Sequence, residues 1–296
     1  MDLKAKAKEI VSSIYDFYED RLGLRPALIP PRSLNYNEFF SKRRTDYLET
    51  FTATGQAAFD IVKKETGISP DASLLDLGSG LGRLALPASR YLSPKGRYSG
   101  YDIVVPAIEW CSKNYKAFPN FSFSAIATEE SSEHYAALDS RFSKVLQNEN
   151  LHKSFKENSG AHFWEPDGTV DVVFSFSVFT HLLEPQVTDY LRETYRVLKP
   201  GGHSFQTTFL IDDESIAGME SGQATHHFQF VEKLGSYHDS LEFPLNTVGF
   251  AKEKALAMYV TAGFSPENLR VIKGSWSDPT LKSPQRYYQD VIIAKK

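Results

Sequence analysis

The stretch "LLDLGSGLGRLALPAS", residues 74–89, joins an apolar run ending at Asp76-Leu77 to three alternating glycines, Gly78, Gly80 and Gly82. An apolar run of this kind, cut off by glycine, reads as a short buried strand, and the apolar spacing after it reads as a helix. Glycines in such a turn let a backbone approach a nucleotide-like ligand closely. A phosphate-cradling loop needs Lys-Ser or Lys-Thr after its glycines, whereas Leu81, Gly82 and Arg83 follow here. The dinucleotide fingerprint fits little better. Gly82 comes one residue early, and Arg83 stands where close helix–strand packing wants no side chain. Asp76 would also set a carboxylate close to the phosphates.

A phosphate-free ligand with a cationic tail reverses that objection. S-adenosylmethionine carries a sulfonium and an ammonium group, so a carboxylate at the end of the first strand becomes favourable, and glycines let the amino-acid tail lie on the backbone. Asp102, twenty residues past Gly82, ends the second predicted strand. A carboxylate there can accept hydrogen bonds from both ribose hydroxyls, each worth roughly 1.5–3 kcal/mol. Ile103 is placed to cover one adenine face.

Outward from this loop, strands and helices alternate. "GRYSGYDIV", "NFSFSAI", "VDVVFSFSV" and "HSFQTTFLI" read as strands, with "PAIEWCSKNYKAF" and "PQVTDYLRETYRVL" as helices between them. Lys199-Pro200-Gly201-Gly202 stops the second of these helices. This alternation predicts a parallel sheet with helices on both faces. "KEKALAMYVTAGF" is a helix capped by Gly263, and "NLRVIKGSWS" and "YYQDVIIAKK" follow with no helix between them, which predicts an antiparallel edge pair. Near the N-terminus, Ile10, Ile14, Phe17 and Tyr18 fall on one face of a first helix, and a second helical region covers about 44–66. Residues 1–66 are read as an N-terminal helical lid, and 67–296 as the main domain with insertions at 127–168 and 212–248. In the first insertion Leu138, Phe142, Val145 and Leu146 keep helical spacing. Insertions at strand ends are either lids and substrate walls or solvated elaborations.

The 296 residues are 41% hydrophobic and carry a formal net charge of −4 without a basic stripe, which argues against a nucleic-acid substrate. Cys111 is the only cysteine, so an internal disulfide or a cysteine zinc cluster is excluded, and a reducing compartment is expected. With neither a signal-peptide pattern nor a membrane-length apolar run, the expectation is a soluble cytoplasmic protein.

"LLDLGSGLGR", "GYDIV", "DVVFSFSVFTHL" and "YLRETYRVLKPGG", in this order and spacing, resemble the class I S-adenosylmethionine-dependent methyltransferases. The resemblance is close over residues 73–210. It implies a Rossmann-like, mostly parallel seven-stranded sheet with a C-terminal antiparallel pair, and S-adenosylmethionine as methyl donor. It also implies that Asp76, Gly78, Ser79, Gly80 and Gly82 hold the methionine portion, and that Asp102 binds ribose with Ile103 on adenine. Ser175 and Phe176 would line the methyl group, and Arg83 is either a donor-carboxylate contact or a solvated first-turn residue. Many relatives place an acid after the third strand, where this chain has Ile126 and Ala127.

Methyl transfer to a hydroxyl requires removal of its proton, which calls for a base. His181, after the fourth strand, is the candidate base, with His226 and His227 in the second insertion as rivals. Asp212 and Asp213 beside these histidines raise the question of a metal, but acidic pairs after a strand are more often caps, and no metal is expected. Tyr36, Phe39, Phe40, Tyr47, Trp276, Tyr287 and Tyr288 are either acceptor-pocket walls or core. The expected activity is methylation of a small-molecule or sugar-like hydroxyl. Open alternatives are N-methylation, a nicotinamide-dependent oxidoreductase, and a catalytically silent nucleotide-binding protein.

Overall fold

A computed structural model of the chain describes residues 14–34 apart from 15, 20 and 24, then 44–126, 162–278, 280 and 287–296. The helix predicted around Leu138, Phe142, Val145 and Leu146 lies outside these residues, as do Ile10, Tyr36, Phe39, Phe40 and Ala127. The described strands are β1 (Ser73–Leu77), β2 (Arg97–Asp102), β3 (Phe121–Ala125), β4 (Val170–Ser175), β5 (Leu198–Thr208), β6 (Leu210–Ile211), β7 (Gln229–Val231), β8 (Ser236–His238), β9 (Val248–Ala251), β10 (Leu269–Ile272) and β11 (Asp290–Lys295). The longer helices are α1 (Arg44–Thr66), α2 (Ala85–Tyr91), α3 (Val105–Asn114), α4 (Glu184–Val197), α5 (Asp213–Glu220) and α6 (Lys252–Ala262).

Seven strands form one sheet in the order β10-β11-β5-β4-β1-β2-β3. The β1–β4, β4–β5 and β2–β3 pairs are parallel, and β11 runs antiparallel to both β5 and β10. β1 and β4 are buried at nearly every position, which is why both read as short, mostly apolar runs interrupted only by Asp76 and Asp171. Among the described residues no helix is long and apolar enough to cross a membrane.

The chain divides into two compact units, residues 1–71 with 79–125, and 72–78 with 126–296. In the first, α1 lies against the segment leading into α2. Gly55 permits this approach, since a Cβ there would stand 2.3 Å from the Arg83 carbonyl oxygen. The N-terminal segment turns acids rather than apolar side chains inward. Ile14, Phe17 and Tyr18 are at least half exposed, while Asp16 and Glu19 are buried. The cause is Arg32, only 1% exposed, whose guanidinium donates to both Glu19 carboxylate oxygens at 2.6 and 3.2 Å. Asp16 accepts from the Arg32 and Ser33 amides at 2.9 and 2.8 Å, and the Arg32 guanidinium lies over the Tyr47 ring. A buried cation needs carboxylate partners, so the acidic face turns inward.

In the second unit, α4 packs on α6, with Tyr195 edge-on to Phe264. Gly263 closes α6 at φ 115° as expected. The Lys199–Gly202 stop follows α4 directly, but it is absorbed within β5 as an irregularity, the register shifting between Val170 and Val172 of β4. The 212–248 insertion is not a loop. Together with flanking strands it forms α5 and a second sheet in the order β6-β9-β8-β7, over a core of Phe209, Ile211, Ala224, Phe228 and Trp276.

Candidate active site

Gly78, Gly80 and Gly82 all have positive φ, at 83°, 51° and 77°. A Cβ on Gly78 would stand 2.4 Å from Val178 Cγ2, so neither the backbone angle nor the space admits a side chain. In the first unit the Ser79 amide donates to the Tyr101 carbonyl and the Gly82 amide to the Ser79 carbonyl, both at 2.9 Å. The turn thereby presents the Gly80 amide to Asp102 Oδ2 at 2.7 Å, while Oδ1 accepts from the Val104 amide at 2.8 Å.

Asp102 is 7% exposed, and burial pushes its carboxyl up to about 6 against the opposing pull of the Val104, Gly80 and Ile103 amides. Those three amides leave part of its roughly four lone-pair sites open. Beside it the Ser79 hydroxyl is buried without a hydrogen-bond partner. A carboxylate with spare acceptor capacity, an orphaned hydroxyl and a backbone bared by glycine fit a ligand carrying ribose hydroxyls and an amino-acid tail. Ile103 and Arg83 are half-buried in the same unit.

In the second unit Asp76 is 2% exposed, one residue before the end of β1 and in register with Phe174 of β4. Ser175 is fully buried, and its hydroxyl donates to Gln206 Oε1 across to β5. Gln206 in turn donates to the Val173 carbonyl and the Ser204 hydroxyl. The Ser175 side chain is therefore committed inside the sheet. Phe176 is half-buried against Phe205.

Ser177, which the sequence reading ran through as strand, takes φ 58°. For a non-glycine residue this conformation costs about 1–2 kcal/mol. Its amide donates to Thr207 Oγ1 at 2.8 Å and its hydroxyl to Gln289 Oε1 at 3.1 Å.

The candidate bases separate. His181 ends a short helical turn, Phe179–His181, and its Nδ1 lies 3.1 Å from the Leu245 carbonyl oxygen. Burial lowers its pKa, against the opposing effects of backbone bonds to Leu245 and Asn246 and of the Asp239 charge. His226 Nδ1 instead faces Asp239 Oδ2 at 3.0 Å, and its ring contacts Phe209, Phe228 and Tyr288. His227 is exposed. Asp239 carried no signal in the sequence, because only the β7–β8 hairpin returns it to His226.

Asp212 is the N-cap of α5, accepting from the Ser215 amide and paired with Lys273 at 2.7 Å. Burial raises its carboxyl, but Lys273, the Ser215 amide and Lys252 outweigh this and hold it below the usual range. Asp213 is an exposed first-turn acid. Among the described residues no three His, Cys, Asp or Glu side chains gather as a metal site would require. Tyr47, Trp276 and Tyr287 are core, whereas Tyr288 is 46% exposed and its hydroxyl lies 2.9 Å from Thr225 Oγ1.

Residues 45–251 match the family model for a methyltransferase domain. Among solved structures, the PH0226 protein of Pyrococcus horikoshii aligns with a TM-score of 0.52 at 12% identity, covering 83% of this chain and 91% of that one. A candidate O-methyltransferase of Nostoc punctiforme aligns with a TM-score of 0.49 at 14% identity, over 85% of this chain but 58% of that one. This chain thus spans little more than half of that protein's length. The 1,6-didemethyltoxoflavin-N1-methyltransferase of Burkholderia thailandensis, with 1,6-didemethyltoxoflavin and S-adenosylhomocysteine bound, aligns with a TM-score of 0.48 at 15% identity, over 84% and 80% of the two chains. At 12% identity the likeness to the PH0226 protein speaks to fold alone. The match over 45–251, on a parallel sheet closed by the antiparallel β10–β11 pair, makes the chain a member of the class I S-adenosylmethionine-dependent methyltransferases.

Proposed function

We propose that the enzyme methylates a hydroxyl of a small, sugar-like or secondary-metabolite-like molecule. The observation that carries this reading is the pair of imidazoles following β4 and β5, His181 and His226, each hydrogen-bonded through Nδ1 to an acceptor. A hydroxyl is a poor nucleophile until its proton is taken, and imidazole is suited to that task near neutral pH. A neutral amine acceptor would need no such group.

S-adenosylmethionine supplies the methyl group on a sulfonium. Asp102 is assigned the ribose hydroxyls, and Ile103 an adenine face. Ser79, Gly80, Gly82 and Arg83, with Asp76 and Gly78, are assigned the methionine portion. Phe176, and Ser175 through its backbone, are assigned the neighbourhood of the methyl. The acceptor must be held in line with the sulfonium and kept from water, a task assigned to the 212–248 insertion.

The test is S-adenosylhomocysteine formation over matched acceptor pairs that differ only in hydroxyl against amine. Turnover of the hydroxyl members is expected. Turnover confined to amines overturns the oxygen assignment.

A further inference from the structure

The second sheet places one carboxylate against one imidazole at the open end of a hairpin. Gln229 of β7 pairs with His238 of β8, and beyond that pair Asp239, the next residue, meets His226, three residues before Gln229, although the two are 13 positions apart. Asp239 Oδ2 lies 3.0 Å from His226 Nδ1, and its other oxygen is buried with no hydrogen-bond partner. The side-chain hydrogen bonding of this carboxylate is therefore spent on one ring. A carboxylate accepts, so Nδ1 carries a proton, and in the neutral ring Nε2 then holds the lone pair. His226 is only partly buried and lies beside the exposed Tyr288.

The same unit fixes where this ring stands. His226 packs at 4.9 Å on Phe209, two residues after Thr207, whose hydroxyl holds the Ser177 amide. Tyr288, the other ring beside His226, precedes Gln289, which holds the Ser177 hydroxyl. His226 thus lies on the side of the carboxyl ends of β4 and β5, where open α/β sheets receive ligands. His181 differs, since its Nδ1 meets the Leu245 carbonyl and the ring ties its own turn to the 244–246 turn.

We infer that His226 is the catalytic base for the acceptor hydroxyl and that Asp239 is its positioning residue. The inference rests on the oxygen-acceptor reading above. In the transfer, the acceptor oxygen forms a bond to the methyl carbon while the carbon–sulfur bond breaks and its electron pair stays on sulfur. The hydroxyl proton passes to His226 Nε2. The imidazolium so formed is stabilised by Asp239 and returns the proton to solvent.

Two measurements on the full-length protein test this. Carbethoxylation by diethyl pyrocarbonate, followed by peptide mass spectrometry, needs no acceptor. His226 should react, and should react several-fold more slowly in Asp239→Asn, with S-adenosylhomocysteine affinity unchanged by calorimetry. Resistance of His226, or equal rates in the variant, overturns the assignment. The second measurement is turnover with phenol, catechol and glucose as hydroxyl probes and aniline and glucosamine as amine probes. His226→Ala should lower kcat on hydroxyl probes by about 100-fold or more, leave KM nearly unchanged, and be partly rescued by added imidazole, which a merely structural role would not produce. Undiminished hydroxyl turnover in His226→Ala overturns the base assignment and leaves the oxygen reading standing. Turnover of amines alone overturns that reading and this inference with it. If no probe turns over, the carbethoxylation result decides.

Discussion

Lowering the pH from 7 to 5 should weaken donor binding roughly tenfold through Asp102 alone. Its carboxyl is held at about 6 because burial outweighs the three backbone amides it accepts from. Ribose hydroxyls donate, so they bind the ionised form. For a ligand that takes only that form, the apparent dissociation constant rises by a factor of one plus the ratio of protonated to ionised carboxyl. With the pKa near 6 that factor is about 1.1 at pH 7 and about 11 at pH 5, close to 1.4 kcal/mol. The stability linkage runs the other way in the free protein. A carboxyl raised from 3.8 to about 6 favours folding below its unfolded pKa, and this contribution is lost as pH rises through about 6, a difference of about 3 kcal/mol. Donor binding should recover part of that loss at pH 7. The assay is calorimetric titration with S-adenosylhomocysteine at half-unit steps from pH 5 to 7, on the wild type and Asp102→Asn. The variant should bind weakly and without this pH dependence. A flat wild-type profile, or a slope that persists in Asp102→Asn, would refute the reasoning.

Three further outcomes follow from contacts elsewhere. Asp290 accepts from the Leu210 and Gly274 amides and from Trp276 Nε1, at 2.8, 2.8 and 2.7 Å. Asp290→Ala strands three buried donors at about 1–3 kcal/mol each, so urea unfolding should show a loss of at least about 3 kcal/mol or no folded protein. Arg32→Ala takes the guanidinium from the buried Glu19 and one of the two cations from Asp16, which keeps Arg25 at 3.3 Å, and should cost about 3–5 kcal/mol in the same assay. Asp212→Ala removes the α5 cap and the Lys273 pair, which should lower stability by about 1–2 kcal/mol and leave S-adenosylhomocysteine affinity unchanged. A tenfold loss of that affinity would show the acid to be more than a cap.

The central sheet was legible because its inner strands β1 and β4 are buried at nearly every position and mostly apolar, and because strands and helices alternate around them. The glycine turn and Asp102 were legible for a related reason, since a close backbone approach and a carboxylate at a strand end leave traces in spacing. The second sheet left none. Strands of two to four residues are shorter than any window in which period-two alternation can be seen. Which face of Asp16–Glu19 turns inward was not legible, because the buried Arg32 and the amides of Arg32 and Ser33 draw the two acids in. Ser177 and Asp239 were invisible locally. One depends on where a strand stops pairing, the other on hairpin register, and neither is encoded in the residue's own neighbours.

The way the second sheet joins the first bears on how acceptor preference can change. Ile211 at the end of β6 pairs beside Ala251 at the end of β9, about 4.8 Å away in the hydrogen-bonding direction. Residues 212–250 therefore leave and rejoin the core at neighbouring points, and the gap to be bridged does not grow with what lies between. Loop-closure entropy rises only with the logarithm of length. Excursions of different size and lining can be exchanged at this base without restraining β1, which carries Asp76, or β4, which leads into Ser177. The proposed base and its positioning carboxylate travel together in such an exchange, since both belong to the excursion. On the proposed assignment, acceptor choice and proton removal form a single replaceable part.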